Sequence, residues 1–132
     1  MNQIKMLHQQ AMDLAEAAAV ARLSGEIEQA AQLTRQAFER EAQAANLIAG
    51  VLDAEPTRSV LYRSAASLAI ECSELRAAER LIAMALSGNP PPEIAEELKD
   101  LFIQINLSQY LKRQGIDIDI KELQRLVPGG EI

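Results

Sequence analysis

The residues able to do chemistry in this chain are few: one histidine, one cysteine and a scatter of carboxylates. A nucleophile needs a base beside it, an acid or base needs a tuned environment, and a metal needs several convergent donors. His8 falls in the first apolar-periodic stretch and reads as a surface or partly buried helix residue. Cys72 lies far away in sequence, at the end of a helical stretch, where a small buried hydrophobe is expected. Glu93, Glu96, Glu97 and Asp100 form the densest acidic cluster, with Glu93 and Glu97 one helical turn apart. Their oxygens suit a hard cation, but nothing in the sequence supplies the other ligands. Acids in a first helical turn also complement the helix dipole. Gly129-Gly130 lacks the strand and helix that give a nucleotide-binding loop its meaning. The expectation is no catalytic residue, no metal site and no cofactor, hence not an enzyme.

Such residues must be positioned by the elements around them, and composition names the kind. Of 132 residues, 48% are hydrophobic but only 3% aromatic, and Ala and Leu predominate. That balance favours helices packed closely through small side chains, in one domain. The formal charge of -6 repels a nucleic-acid backbone unless the basic residues gather on one face. Arg58, Arg63, Arg76 and Arg80 come nearest to gathering, but Glu71, Glu74 and Glu79 are interleaved with them. No nucleic acid is expected. A single cysteine fits a reducing compartment, and the N-terminal stretch lacks the pattern of a signal peptide. With no uncharged run near the length of a membrane span, no membrane is expected, and a cytoplasmic location is.

Periodicity places the helices. The first runs from about Ile4 to Leu23 and is interrupted by Ser24-Gly25, where Gly25 suits a left-handed helix end. A second spans about Glu26 to Ile48, with Ile27, Ala30, Ala31, Leu33, Ala37, Phe38, Ala42, Ala45 and Ile48 inward. Gly50 and Pro56 break the chain, and Pro56 opens a third helix toward Cys72-Ser73. A fourth follows from about Glu74 to Leu86, and a fifth from about Pro92 to Arg113. The fifth carries one stripe of Ile94, Leu98, Leu101, Phe102 and Ile105 and a second of Ile103, Leu107, Tyr110 and Leu111. A helix apolar on two sides usually touches two neighbours. In LSGNPPPEIAEEL, Gly88 reads as the end of the fourth helix, Pro90 and Pro91 as extended, and Pro92 as the first residue of the fifth. Glutamates where phosphate would have to sit disfavour an anion site there. Beyond Arg113, residues 114–132 read as a tail in which KELQRLV forms a short helix capped by Asp119.

GEIEQAAQLTRQAFE, from Gly25, aligns without gaps on SELRAAERLIAMALS, from Ser73. Ile27 falls on Leu75, Ala30 on Ala78, Ala37 on Ala85 and Phe38 on Leu86. In the preceding helices Leu14 falls on Tyr62, Ala17 on Ala65, Ala18 on Ala66 and Ala21 on Ala69. Small residues recur where antiparallel helices approach most closely. This pattern resembles the tetratricopeptide repeat, in two units of about 11–48 and 57–92 with a capping helix of about 92–113. The sequence departs from that family where Ser73 replaces the turn glycine and no proline closes the first unit. The run from EPTRSVLYRSAASLA to KELQ also resembles the front portion of bacterial proteins with tetratricopeptide-like helices and no assigned activity, in which further sequence follows.

The resemblance implies an all-α fold of antiparallel helix pairs and a groove lined by the first helix of each unit, where peptide termini are often held. Its usual clamp positions fall on Ala15 and Ala19 in the first unit and on Arg63 and Ser67 in the second. Two alanines cannot hold a carboxylate, so a standard clamp is not expected. Arg63 and Ser67, with Arg22 and Tyr62 as neighbours, remain a candidate groove, against the plainer reading of Arg63 as a surface salt bridge. The second stripe, Ile103, Leu107, Tyr110 and Leu111, is a candidate second interface. The expected function is a protein-protein interaction or assembly module binding a protein or peptide, with self-association open because two units are fewer than such stacks usually need. Two rivals are a helper domain of a longer protein whose catalytic part lies downstream, and a small-molecule or lipid pocket between alanine-rich helices.

Overall fold

The computed structural model describes residues 2–116. Those residues form α1 (Asn2–Leu23), α2 (Ile27–Leu47), α3 (Thr57–Glu71), α4 (Leu75–Leu86) and α5 (Pro92–Arg113). The helix expected over KELQRLV lies outside the described residues. Helices α1 and α2 pack as one antiparallel pair and α3 and α4 as another; α2 joins the pairs through α3, and α5 closes on α4 and α3. The chain is all-α.

Both pairs are built on the same joint. At the end of α1, Gly25 takes φ 81° while its N–H donates to Arg22 O at 3.1 Å and the Glu26 N–H donates to Ala21 O at 2.9 Å. At the end of α3, Ser73 takes φ 60°, its N–H donates to Ile70 O at 2.9 Å and the Glu74 N–H donates to Ala69 O at 2.8 Å. These are Schellman turns, which satisfy the last free carbonyls of a helix by one left-handed residue. They stand 48 residues apart, the offset of the sequence alignment. Gly115, at φ 82°, closes α5 in the same way, its N–H and that of Ile116 donating to Lys112 O and Leu111 O. Thus α5 ends as α1 and α3 do, and as α2 and α4 do not.

Alanine sets the spacing inside the pairs. Ala18, Ala21, Ala30 and Ala37 are buried, and so are their counterparts Ala66, Ala69, Ala78 and Ala85. Around Ala66, Ala69, Ala78 and Ala85 pack Ile4, Leu7, Ile48, Leu61, Ile82, Ile94, Leu98 and Ile105. Complete burial of a Leu98 or an Ile105 contributes about 1.5–3 kcal/mol each. The core departs from the periodicity at Ile27, which is 63% exposed, and at Ala31, also exposed. Phe102, expected in the first stripe of α5, is likewise largely exposed.

The loop before α5 behaves as its prolines dictate, with Pro91 extended at φ -56° and ψ 149° and Pro92 inside the first turn. Gly88 follows the end of α4, which closes at Leu86 with Ser87 as its cap. It does not adopt a left-handed conformation; a Cβ there would overlap the guanidinium of Arg58. Arg58 is 1% exposed, and it donates from Nε to Ala49 O at 3.0 Å and from Nη2 to Met84 O at 3.2 Å. Those carbonyls lie just past the end of α2 and in the last turn of α4, so the negative ends of two helices face the buried cation. The charge is also stacked over Tyr62, 5.1 Å from the ring centroid.

Candidate functional site

Arg58 was grouped with the surface arginines by sequence, and the structure removes it from that set. Arg63 is also engaged, its Nη1 donating to Glu97 Oε1 on α5 at 2.6 Å. The plainer reading of Arg63 as a salt bridge is the one the geometry carries. Arg22 reaches Thr34 Oγ1 at 3.4 Å and Glu71 Oε1 at 3.7 Å, tying α1 to both α2 and α3. Tyr62 is 2% exposed, and its burial raises the phenol pKa, opposed by the Arg58 charge. Ser67 is half-buried. Of the four candidate groove residues, Arg22 and Arg63 are engaged in ion pairs, Tyr62 is buried and Ser67 is half-buried.

The second stripe of α5 divides. Ile103 and Tyr110 are about half exposed, at 49% and 51%, while Leu107 and Leu111 are partly buried. Phe102 adds a third exposed apolar side chain, and Arg113 lies 5.9 Å from the centre of the Tyr110 ring.

A carboxylate that sequence reasoning passed over sits between the first two helices. Glu41 is 0% exposed, and its two oxygens lie 3.0 and 2.9 Å from His8 Nδ1. Nδ1 carries the proton when it donates to that carboxylate, which leaves Nε2 as the outer nitrogen. The signal was present in the spacing: Glu41 stands four residues from Ala37 and from Ala45, on the buried line of α2. Cys72, at the far end of α3, is half-buried, and burial pushes its thiol up. His8 thus has a carboxylate for a partner, and no thiol. Among the described residues no group of three or more His, Cys, Asp or Glu converges as a metal site. No described helix is long and apolar enough to cross a membrane.

Helices α1 and α2 leave a shallow groove between them. Its floor is apolar, with Ala17, Val20 and Leu33, and Asp13, Glu16 and Glu26 stand at its rim. Val20 is 58% exposed there. Among the described residues, none of these three carboxylates takes part in an ion pair. Comparison with family models, with curated proteins and with solved structures returns no match.

Proposed function

We propose that this chain is a non-enzymatic, cytoplasmic interaction or assembly module built on tetratricopeptide-like helix pairs. The observation that carries the reading is the apolar surface on the outer helices. Among the described residues, large apolar side chains are exposed on the first and fifth helices, Val20 on α1 and Ile103 and Tyr110 on α5. A helical stack that worked alone would present polar outer faces at its ends. The repeated joint at Gly25 and Ser73 supports the repeat resemblance, because two turns of one kind fall at the spacing the alignment gives. The reading leaves protein or peptide surfaces as the ligands, and places no substrate.

Replacing Leu107 and Tyr110 together by Asp tests the α5 face. Sedimentation and thermal unfolding are the readouts; a shift from dimer to monomer marks the stripe as a working contact, whereas a lower melting temperature alone reports the partly buried side of Leu107 in the core. If both are unchanged, the α5 face is only exposed and that part of the proposal fails.

A further inference from the structure

The groove on the first helix pair occupies a place that the second pair has already filled. At the offset of 48 residues, Asp13, Ala17 and Val20 correspond to Leu61, Ala65 and Leu68. The latter three are 3%, 0% and 6% exposed, on a helix against which α2 packs. On α1 the same three positions are exposed, with Val20 at 58%. The apolar residues Ala17 and Val20 are retained, whereas the leucine position carries Asp13 and the flanking position of Ser64 carries Glu16.

We propose that this face docks a cationic amphipathic helix from another protein, seated on α1 as α2 is seated on α3. This rests on the reading of the chain as an interaction module, and it specifies the partner. The floor supplies apolar burial, and Asp13, Glu16 and Glu26 supply three carboxylates that no described cation neutralises. Asp13 Oδ1 does accept a hydrogen bond from Gln9 Nε2 at 3.0 Å, a neutral donor that leaves its charge unmet. Acceptors surround the floor, and a Lys or Arg side chain supplies what they lack. A second copy is the poorer occupant. A twofold pairing through this face would set each acidic rim against its own image, in a chain of formal charge -6.

The test uses the full chain and two synthetic amphipathic helices with the same apolar face, one bearing Lys and the other Glu on its polar face. Binding is followed by fluorescence anisotropy at about 50 and about 300 mM salt, and mapped by amide shifts in the isotope-labelled protein. The Lys helix is expected to bind at least about tenfold more tightly than the Glu helix, with the advantage shrinking at the higher salt. The largest shifts should fall on residues near Asp13, Val20 and Leu33. Asp13→Lys with Glu16→Lys, both at exposed positions, should weaken the Lys helix about tenfold or more. Val20→Ala should weaken it without changing the salt dependence. Equal binding of the two helices, binding of neither, or shifts confined to α5 overturns the proposal. So does self-association of the free chain that Val20→Asp abolishes. Contacts made through α5 while the Lys helix fails to bind would remove this assignment and leave the interaction-module reading standing.

Discussion

The guanidinium of Arg58 lies against Gly88, so the start of α3 and the residue just past α4 meet in one joint at the same end of the second helix pair. Gly88→Ala would push a methyl group into Nη1 of a side chain that is 1% exposed and anchored on two carbonyls. The expected cost is about 1–3 kcal/mol in urea unfolding. Arg58→Ala strands the carbonyls of Ala49 and Met84 and is expected to cost about 2–4 kcal/mol. The double variant should be less destabilised than the sum, because the alanine at 88 has nothing left to meet. Strict additivity would show that the contact is not what requires a glycine.

Ser73 does the work of Gly25 while paying a conformational penalty, since an L side chain at φ 60° is strained. Ser73→Gly is expected to stabilise the chain by about 0.5–1 kcal/mol, the relief of strain exceeding the added freedom of the unfolded chain. Gly25→Ala should destabilise by about 1 kcal/mol. Thermal melting of the two variants checks both signs, and a destabilised Ser73→Gly would refute the equivalence of the turns.

Removing His8 leaves Glu41 buried without its only hydrogen-bond donor among the described residues. His8→Ala is expected to cost about 2–3 kcal/mol, below the full penalty of a broken buried pair because the imidazole side is 39% exposed. Replacing the pair by two leucines should recover most of that loss. Chemical denaturation of the three chains measures it, and a neutral His8→Ala would show that Glu41 is satisfied in another way.

The alkaline limb of stability has a source in Cys72 and Tyr62. Burial pushes the Cys72 thiol up; Arg35 opposes the rise, and Glu71, Glu74 and Glu39 add to it. The folded chain therefore holds this proton more tightly than the unfolded chain. Its contribution is present in full below the unfolded thiol's pKa and is lost as the pH rises through the folded value. Tyr62 acts in the same direction at higher pH. Urea midpoints are expected to fall on the alkaline side, and to fall less steeply at first in Cys72→Ala. Identical alkaline slopes would exclude the thiol.

Much of this fold was legible because Gly and Pro punctuate it. Gly25, Pro91 and Pro92 act through their own backbone preferences, so a local reading finds them. Gly88 could not be read in that way, for its reason lies in Arg58, thirty residues earlier in sequence. Glu41 and Arg58 sit on buried helix lines whose spacing was visible, but a search for apolar periodicity passes over the charged members of a stripe. The groove on α1 was hidden for another reason. Ala17 and Ala65 are the same residue at equivalent positions, and the helices packed around α3 bury one at 0% exposure while the other is exposed on α1.

The central claim, that the terminal faces of the stack bind other proteins, is tested most directly by quantitative capture from the source cell. The bait is the full chain, compared with Val20→Asp and with Tyr110→Asp after circular dichroism has shown both to be folded. The account predicts a defined set of proteins enriched by the native chain and lost with one face variant but kept with the other. A set kept by both variants, or no enrichment over bare resin, would contradict it.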